Sequence, residues 1–369
     1  MIVTNNMTTN LMMKLFIVNI LILLSAGELK SKHLVPFICD EKVGYIDTLG
    51  NVAIAPEYNT ETEYYELNYK GRKFKDFMLP ANSYFSEGAA TVRLKKKYWF
   101  ITIGYQFALI NEEGKFIGKP DDEETGVFSE GLAAKEIRRK LPGAAYSINY
   151  GYIDHEQLKK IPPLYDYAGK FSEGFAPVLY RNKYLFLDTA GNIMEGRYDI
   201  AEEFSEGFAL INIKGLYGFI DKKFKLSIIP KFNRAWNFHC GRARIFNDSL
   251  YGFINKSGDE IIPFQFSYAG DFSDGLALIM ADGKFSFIDT SGKNVYQTKY
   301  ESAEPYSEGL ACVEINGFFG FIDIYGKFTI PAKYDYATSF RKGVAKVWIG
   351  NKLMYINKSG KEIITLLKY

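Results

Sequence analysis

The chain has 369 residues, a formal net charge of +2 and three cysteines, Cys39, Cys240 and Cys312. A charge so near neutral argues against a strongly basic nucleic-acid binder. An odd number of cysteines without zinc spacing gives no disulfide framework. Aromatics make up 16% of residues, with 27 Tyr and 30 Phe, which is enough apolar surface for a long stacked core.

The N-terminus reads as a targeting segment. Lys14 precedes the apolar run Leu15 to Leu24, and the small residues Ser25, Ala26 and Gly27 follow. This order of charge, short apolar region and small-residue site is that of a signal peptide over residues 1–27, with Met12 or Met13 as alternative starts. An uncleaved N-terminal anchor is the other reading. The run is too short for a bilayer span of roughly 20 residues, and no later stretch has transmembrane character. No cysteine follows closely, so a lipid anchor is not indicated. The protein is therefore expected to be exported, to the periplasm, the cell surface or the medium.

From about Leu34 to Tyr369 one pattern recurs. Phe171-Ser172-Glu173-Gly174-Phe175-Ala176 returns as Phe204-Ser205-Glu206-Gly207-Phe208-Ala209, as Phe272-Ser273-Asp274-Gly275-Leu276-Ala277 and as Tyr306-Ser307-Glu308-Gly309-Leu310-Ala311. A second motif alternates with it: Tyr217-Gly218-Phe219-Ile220-Asp221, Tyr251-Gly252-Phe253-Ile254-Asn255 and Phe319-Gly320-Phe321-Ile322-Asp323. The leading aromatic of the first motif falls at 85, 128, 171, 204, 238, 272, 306 and 340, so the step settles at about 34 residues. The second motif has an additional, earliest copy at Gly44-Tyr45-Ile46-Asp47. Nine near-complete units result. A fixed period of this size means an array of supersecondary units.

Within a unit, Tyr251, Phe253 and Asn255 lie on one face of a strand and Gly252 and Ile254 on the other. Gly in that strand implies close approach of a neighbouring backbone. Asn255-Lys256-Ser257-Gly258 is a turn, with Asn or Asp bonding the backbone two residues on. A second strand such as Lys327 to Ile330 ends at Pro331. The connector Tyr334-Asp335-Tyr336-Ala337 leads to the next first motif, a Gly-hinged turn, and then to a third strand, Leu310 to Ile315. The expected fold is all-β: about nine three-stranded units in an open, twisted stack, with a closed β-propeller as the alternative. A unit of 34 residues is short for a four-stranded propeller blade of roughly 40–45.

These elements in this order resemble the WG-repeat (KWG-repeat) family of bacterial tandem repeats. The departure is Tyr217, Tyr251 or Phe319 where the family has Trp before Gly. The resemblance implies an all-β repeat architecture and no agreed activity.

Three insertions interrupt the period, at residues 60–84, 93–106 and 135–149. They carry the candidate binding residues: Lys95, Lys96, Lys97 and Trp99 in one, Arg138 and Arg139 in another, and Tyr64 and Tyr65 in the first, beside Lys70 and Arg72. Basic groups mixed with aromatics suit a protein or glycan partner, an anionic one included. Solvated, merely tolerated loops are the bland alternative.

No catalytic set stands out. His239-Cys240 replaces Ser-Glu in one unit, and neighbours on a strand face opposite ways. The recurring Glu and Asp residues form ladders, but Asn111, Asn255 and Asn357 share the Asp position, which suits a turn cap better than a metal ligand. The cluster Asp121-Asp122-Glu123-Glu124 lacks the spacing of a calcium loop. No cofactor, metal or nucleic acid is expected. The reading is a non-enzymatic exported scaffold. Its rivals are a hydrolytic enzyme or subunit with a site in the insertions, and a purely structural envelope component.

Overall fold

A computed structural model describes residues 33–39, 42–59, 65–76, 79–99, 101–141 and 146–366. The signal-peptide expectation and Tyr64 lie outside these residues. Apart from one 3-10 turn, Ala81–Ser83, the regular elements are all strands, and they group into small antiparallel sheets.

The eighth unit shows the pattern. Ser302–Ala303, Leu310–Ile315, Phe318–Asp323 and Phe328–Tyr334 lie side by side, with Ala303 opposite Val313, Val313 opposite Gly320 and Phe319 opposite Tyr334. The connector thus supplies a short edge strand of its own, so several sheets have four strands where the sequence suggests three. The first two units share one six-stranded sheet, joined by the single pair Asn59 and Arg93.

Each motif has a local physical cause. At Ser307-Glu308-Gly309-Leu310 the Ser307 and Leu310 backbones exchange both hydrogen bonds, while Glu308 and Gly309 have φ of +58° and +85°. Positive φ at both central residues marks a type I′ hairpin turn, whose twist matches the flanking strands. Gly320 answers a different need. A Cβ there would lie 2.6 Å from the Ala332 nitrogen and 2.8 Å from the Ile330 carbonyl oxygen. The following strand bulges over this point, between Phe319 and Phe321. At the next turn the Asp323 Oδ1 accepts the Tyr325 and Lys327 N–H groups at 3.0 and 2.9 Å. The same paired acceptance recurs at Asp47, Asn111, Asp154, Asp188, Asp221, Asn255, Asp289 and Asn357. These are Asx turns, and they account for the ladder of Asp and Asn.

Three kinds of contact recur between successive units. The second-motif ring meets the leading aromatic of the following unit, as in Phe219–Phe238, Phe253–Phe272 and Phe321–Phe340, with centroids 4.8 to 4.9 Å apart. The first-motif Ser Oγ donates to the next leading aromatic's carbonyl at 2.7 Å, from Ser86 to Phe128 and from Ser307 to Phe340, for example. The first-motif carboxylate accepts the N–H of the next turn glycine: Glu206 from Gly241 and Glu308 from Gly343, both at 2.8 Å. Burial pushes the Glu308 carboxyl up, but the Gly343 N–H and the Lys358 ammonium outweigh it and hold the group below its usual range. The leading aromatics are almost wholly buried. Truncating one to Ala costs about 3–5 kcal/mol.

Among the described residues no sheet closes into a barrel, and the units stack as a tandem array. The two ends of that array meet. A Cβ on Gly50, in the first unit, would lie 2.8 Å from Ile363 in the ninth. Between successive units the turn glycines meet an isoleucine at 3.0 to 3.3 Å, Gly258 with Ile228, Gly292 with Ile262 and Gly360 with Ile330; the ninth-unit residue in register with these is Ile364, next to Ile363. Phe37, Ile38, Val344, Trp348 and Tyr355 belong to one core cluster. The Lys342 ammonium donates to the Phe85 carbonyl, and the Arg341 guanidinium lies 3.7 Å above the Tyr84 ring.

Candidate functional site

The described parts of the insertions have regular structure. Residues 93–106 lengthen a hairpin of the second unit, Ala89–Tyr98 with Ile101–Asn111, in which Lys95 pairs with Tyr105 and Lys97 with Thr102. Residues 135–149 do the same in the third unit, where Ala133–Lys140 pairs with Tyr146–Ile153. Alternating strand geometry then decides what each side chain meets.

Several of the candidate cations are already paired. Lys96 Nζ binds both Asp122 oxygens at 2.7 and 2.5 Å. Arg138 pairs with Glu136, and its N–H donates to Glu123 Oε1 at 3.1 Å. Lys135 is largely buried and held by Asp121 at 2.7 Å. The acidic run Asp121 to Glu124 therefore lies between the two hairpins and neutralises part of their charge. Lys95, Lys97, Arg139 and Lys140 remain at the exposed surface. Burial, then repulsion from Lys95 and Lys97, lowers the Lys42 ammonium below its usual range, so these three lysines converge on one patch.

Both hairpins also present large apolar side chains. Trp99, 77% exposed, sits at a turn with φ of +58°, and Ile101 and Tyr105 are exposed beside it. Leu141, Tyr146 and Ile148 are exposed on the neighbouring hairpin. Arg93 lies 3.9 Å over the Tyr105 ring and stiffens its base.

The first insertion goes elsewhere. Tyr65–Tyr69 and Arg72–Asp76 form a separate hairpin; Tyr65 is opposite Asp76 in it, and its side chain lies outside the described residues. The hairpin tip crosses to the eighth and ninth units. Tyr69 Oη donates to Glu314 Oε2 at 2.5 Å, Lys70 Nζ reaches Glu314 at 2.8 Å and Glu301 at 3.0 Å, and Arg72 meets Asp335 at 2.5 Å. Glu314 is 1% exposed, so this hairpin answers a buried carboxylate. Lys70 and Arg72, counted in the sequence as partner-facing cations, are half exposed but already paired with the chain's own carboxylates.

His155 stacks on Phe128 at 4.1 Å and approaches Glu87 at 3.3 Å. Cys240 takes the Glu place of a type I′ turn, with φ of +50°. Among the described residues, no group of three or more His, Cys, Asp or Glu side chains is placed to hold a metal ion.

The model of the WG-containing repeat matches residues 44–60, 150–184, 186–217, 217–251, 251–285, 285–317 and 319–352, more than half of the chain. The chain belongs to the WG-repeat family. The matched WG repeats cover part of the first unit and the array from residue 150 onward, and the match leaves out residues 61–149. No curated protein matches the sequence. Among solved structures, the crystal structure of a eukaryotic initiation factor aligns over 92% of this chain and 96% of its own, at 11% identity and a TM-score of 0.58. A dihydro-heme d1 dehydrogenase, NirN, aligns over 71% and 70% at 11% identity and a TM-score of 0.41. The first similarity concerns the fold alone.

Proposed function

We propose that this WG-repeat protein is an exported, non-catalytic scaffold that holds a protein or glycan partner on the paired hairpins of its second and third units. The observation carrying this reading is the density of exposed Trp99, Ile101, Tyr105, Tyr146 and Ile148 beside Lys95, Lys97 and Arg139. Rigid aromatic faces flanked by cations suit either a sugar ring or a partner's apolar anchor. Hairpins built on two adjacent sheets hold those faces at a fixed spacing. Lys14 and the apolar run after it support export. No helix among the described residues is long and apolar enough to cross a membrane.

The test is a pull-down from the native host, with a glycan array beside it, using the wild-type chain and a Trp99→Ser, Ile101→Ser, Tyr146→Ser variant of unchanged melting temperature. Loss of the captured partner supports the reading. Capture that is identical for the two chains moves the site elsewhere, and loss of a turnover activity in its place supports the enzymatic alternative.

A further inference from the structure

Charge is spread unevenly along the chain. The stretch from Lys222 to Asn247 holds seven Lys and Arg residues and no Asp or Glu, in a protein whose net charge is +2. Part of this charge is answered inside the molecule. Arg244 meets Asp271 at 3.2 Å, Arg242 donates to the Thr290 carbonyl at 2.8 Å, and Lys222 lies 3.7 Å from Glu173. Lys223, Lys225 and Lys231 are exposed and form no ion pair among the described residues. They lie on or just before one strand, Leu226–Phe232, the last of four in the sheet of the fifth unit and so an edge strand. Two aliphatic side chains of that strand also face water, Leu226 at 51% exposure and Ile229 at 65%.

The chemistry of the strand selects its partner. Pro230 has no N–H, and the pairing with Leu216–Asp221 bulges between Tyr217 and Phe219, so a further strand cannot add to this edge as a regular ladder. The apolar groups are aliphatic and the cations are lysines, whereas protein hot spots favour Trp, Tyr and Arg. Lysine is a point charge on a flexible stem, without the planar fork that fits a fixed carboxylate or phosphate. Mobile point charges around two exposed aliphatic groups match a fluid layer of anionic headgroups, which takes ammonium groups at its surface and aliphatic groups just beneath it. We infer that the edge strand of the fifth unit docks the protein on an anionic lipid surface, with Lys223, Lys225 and Lys231 at the headgroups and Leu226 and Ile229 inserted among them. This surface is separate from the hairpins of the second and third units.

The test is co-sedimentation of the full-length protein with mixed phosphatidylglycerol–phosphatidylcholine vesicles and with pure phosphatidylcholine vesicles. Binding is expected to the anionic vesicles alone, and it should fall as salt rises. Lys223→Ser, Lys225→Ser should weaken it by about tenfold or more, since each lysine near such a surface contributes roughly fivefold. Leu226→Ser, Ile229→Ser leaves the charge unchanged and should weaken it by about tenfold or more, through lost apolar burial. Lys95→Ser, Lys97→Ser makes the same charge change on another surface and should bind as wild type. Melting temperatures confirm that each variant is folded. Absence of binding to the anionic vesicles overturns the inference. So does an equal loss in the two lysine pairs, because overall charge would then be the cause. Full affinity in the Leu226→Ser, Ile229→Ser variant overturns it too, and would point to a soluble anion or an acidic protein as the partner.

Discussion

Gly50 and Ile363 are separated by most of the chain, yet a Cβ on Gly50 would come within 2.8 Å of the Ile363 side chain. Gly50 also has φ of +95°. Gly309, at φ of +85°, has no neighbouring atom within 4 Å of the same hypothetical Cβ. Gly309→Val should therefore cost only backbone strain, about 1–3 kcal/mol. Gly50→Val should cost more, by about 1–2 kcal/mol of overpacking. Denaturant melts of the two variants separate the terms, and equal losses would mean that the ends do not pack together in solution.

Glu308 and Gly343 define the link between units. Glu308→Ala removes an acceptor from a turn N–H and a partner from Lys358, and should cost about 1–2 kcal/mol. Glu308→Gln keeps an acceptor and should cost less. Because the Glu308 and Glu206 carboxyls are held below their usual range, their contribution is present above the unfolded-state value of 4.5 and is lost as pH falls through the lower folded value. Melting temperature should drop on acidification below about pH 4.5, and the gap between wild type and Glu308→Gln should narrow there. A gap that widens in acid would refute the assignment.

Glu202 titrates in the opposite sense. Burial, then Glu203 and Asp271, push its carboxyl above the usual range. Its ionised form therefore costs stability at neutral pH, and that cost disappears as pH falls through the raised value. Glu202→Gln should be neutral to stabilising at pH 7, with its advantage shrinking toward pH 4. Clear destabilisation at pH 7 would show that the Asn237 hydrogen bond to Glu202 outweighs burial.

Tyr69 and Lys70 hold the crossing hairpin to Glu314. Lys70→Met should destabilise by about 1–2 kcal/mol, discounted because the lysine is half exposed. Adding Glu314→Gln should recover most of the loss, since the buried carboxylate causes it. A double-mutant cycle measures the coupling. Purely additive losses would mean that the hairpin does not dock.

Asp323→Asn should be near neutral, because Asn already caps the equivalent turns at 111, 255 and 357, whereas Asp323→Ala should cost about 0.5–1.5 kcal/mol. Chelation should leave the melting temperature unchanged. A chelator-induced drop would show that the ladder binds metal.

The sequence by itself determined the repeat, because each motif answers to local geometry. Gly320 is read from the close approach of the next strand, Gly309 from its turn, and Asp323 from its Asx bond, all within one turn or between neighbouring strands. The hairpins of the second and third units were legible as insertions for the same reason. Contacts between distant residues were not. Nothing in the local spacing tells that Lys96 meets Asp122, that Lys70 crosses to Glu314, or that Gly50 reaches Ile363. The last two depend on the small rotation added at each stacked unit, and a period in the sequence fixes the repeat length but not that angle; the Lys96–Asp122 pair forms within the second unit. The tertiary structure therefore decided which cations stay at the surface and which are paired within the molecule.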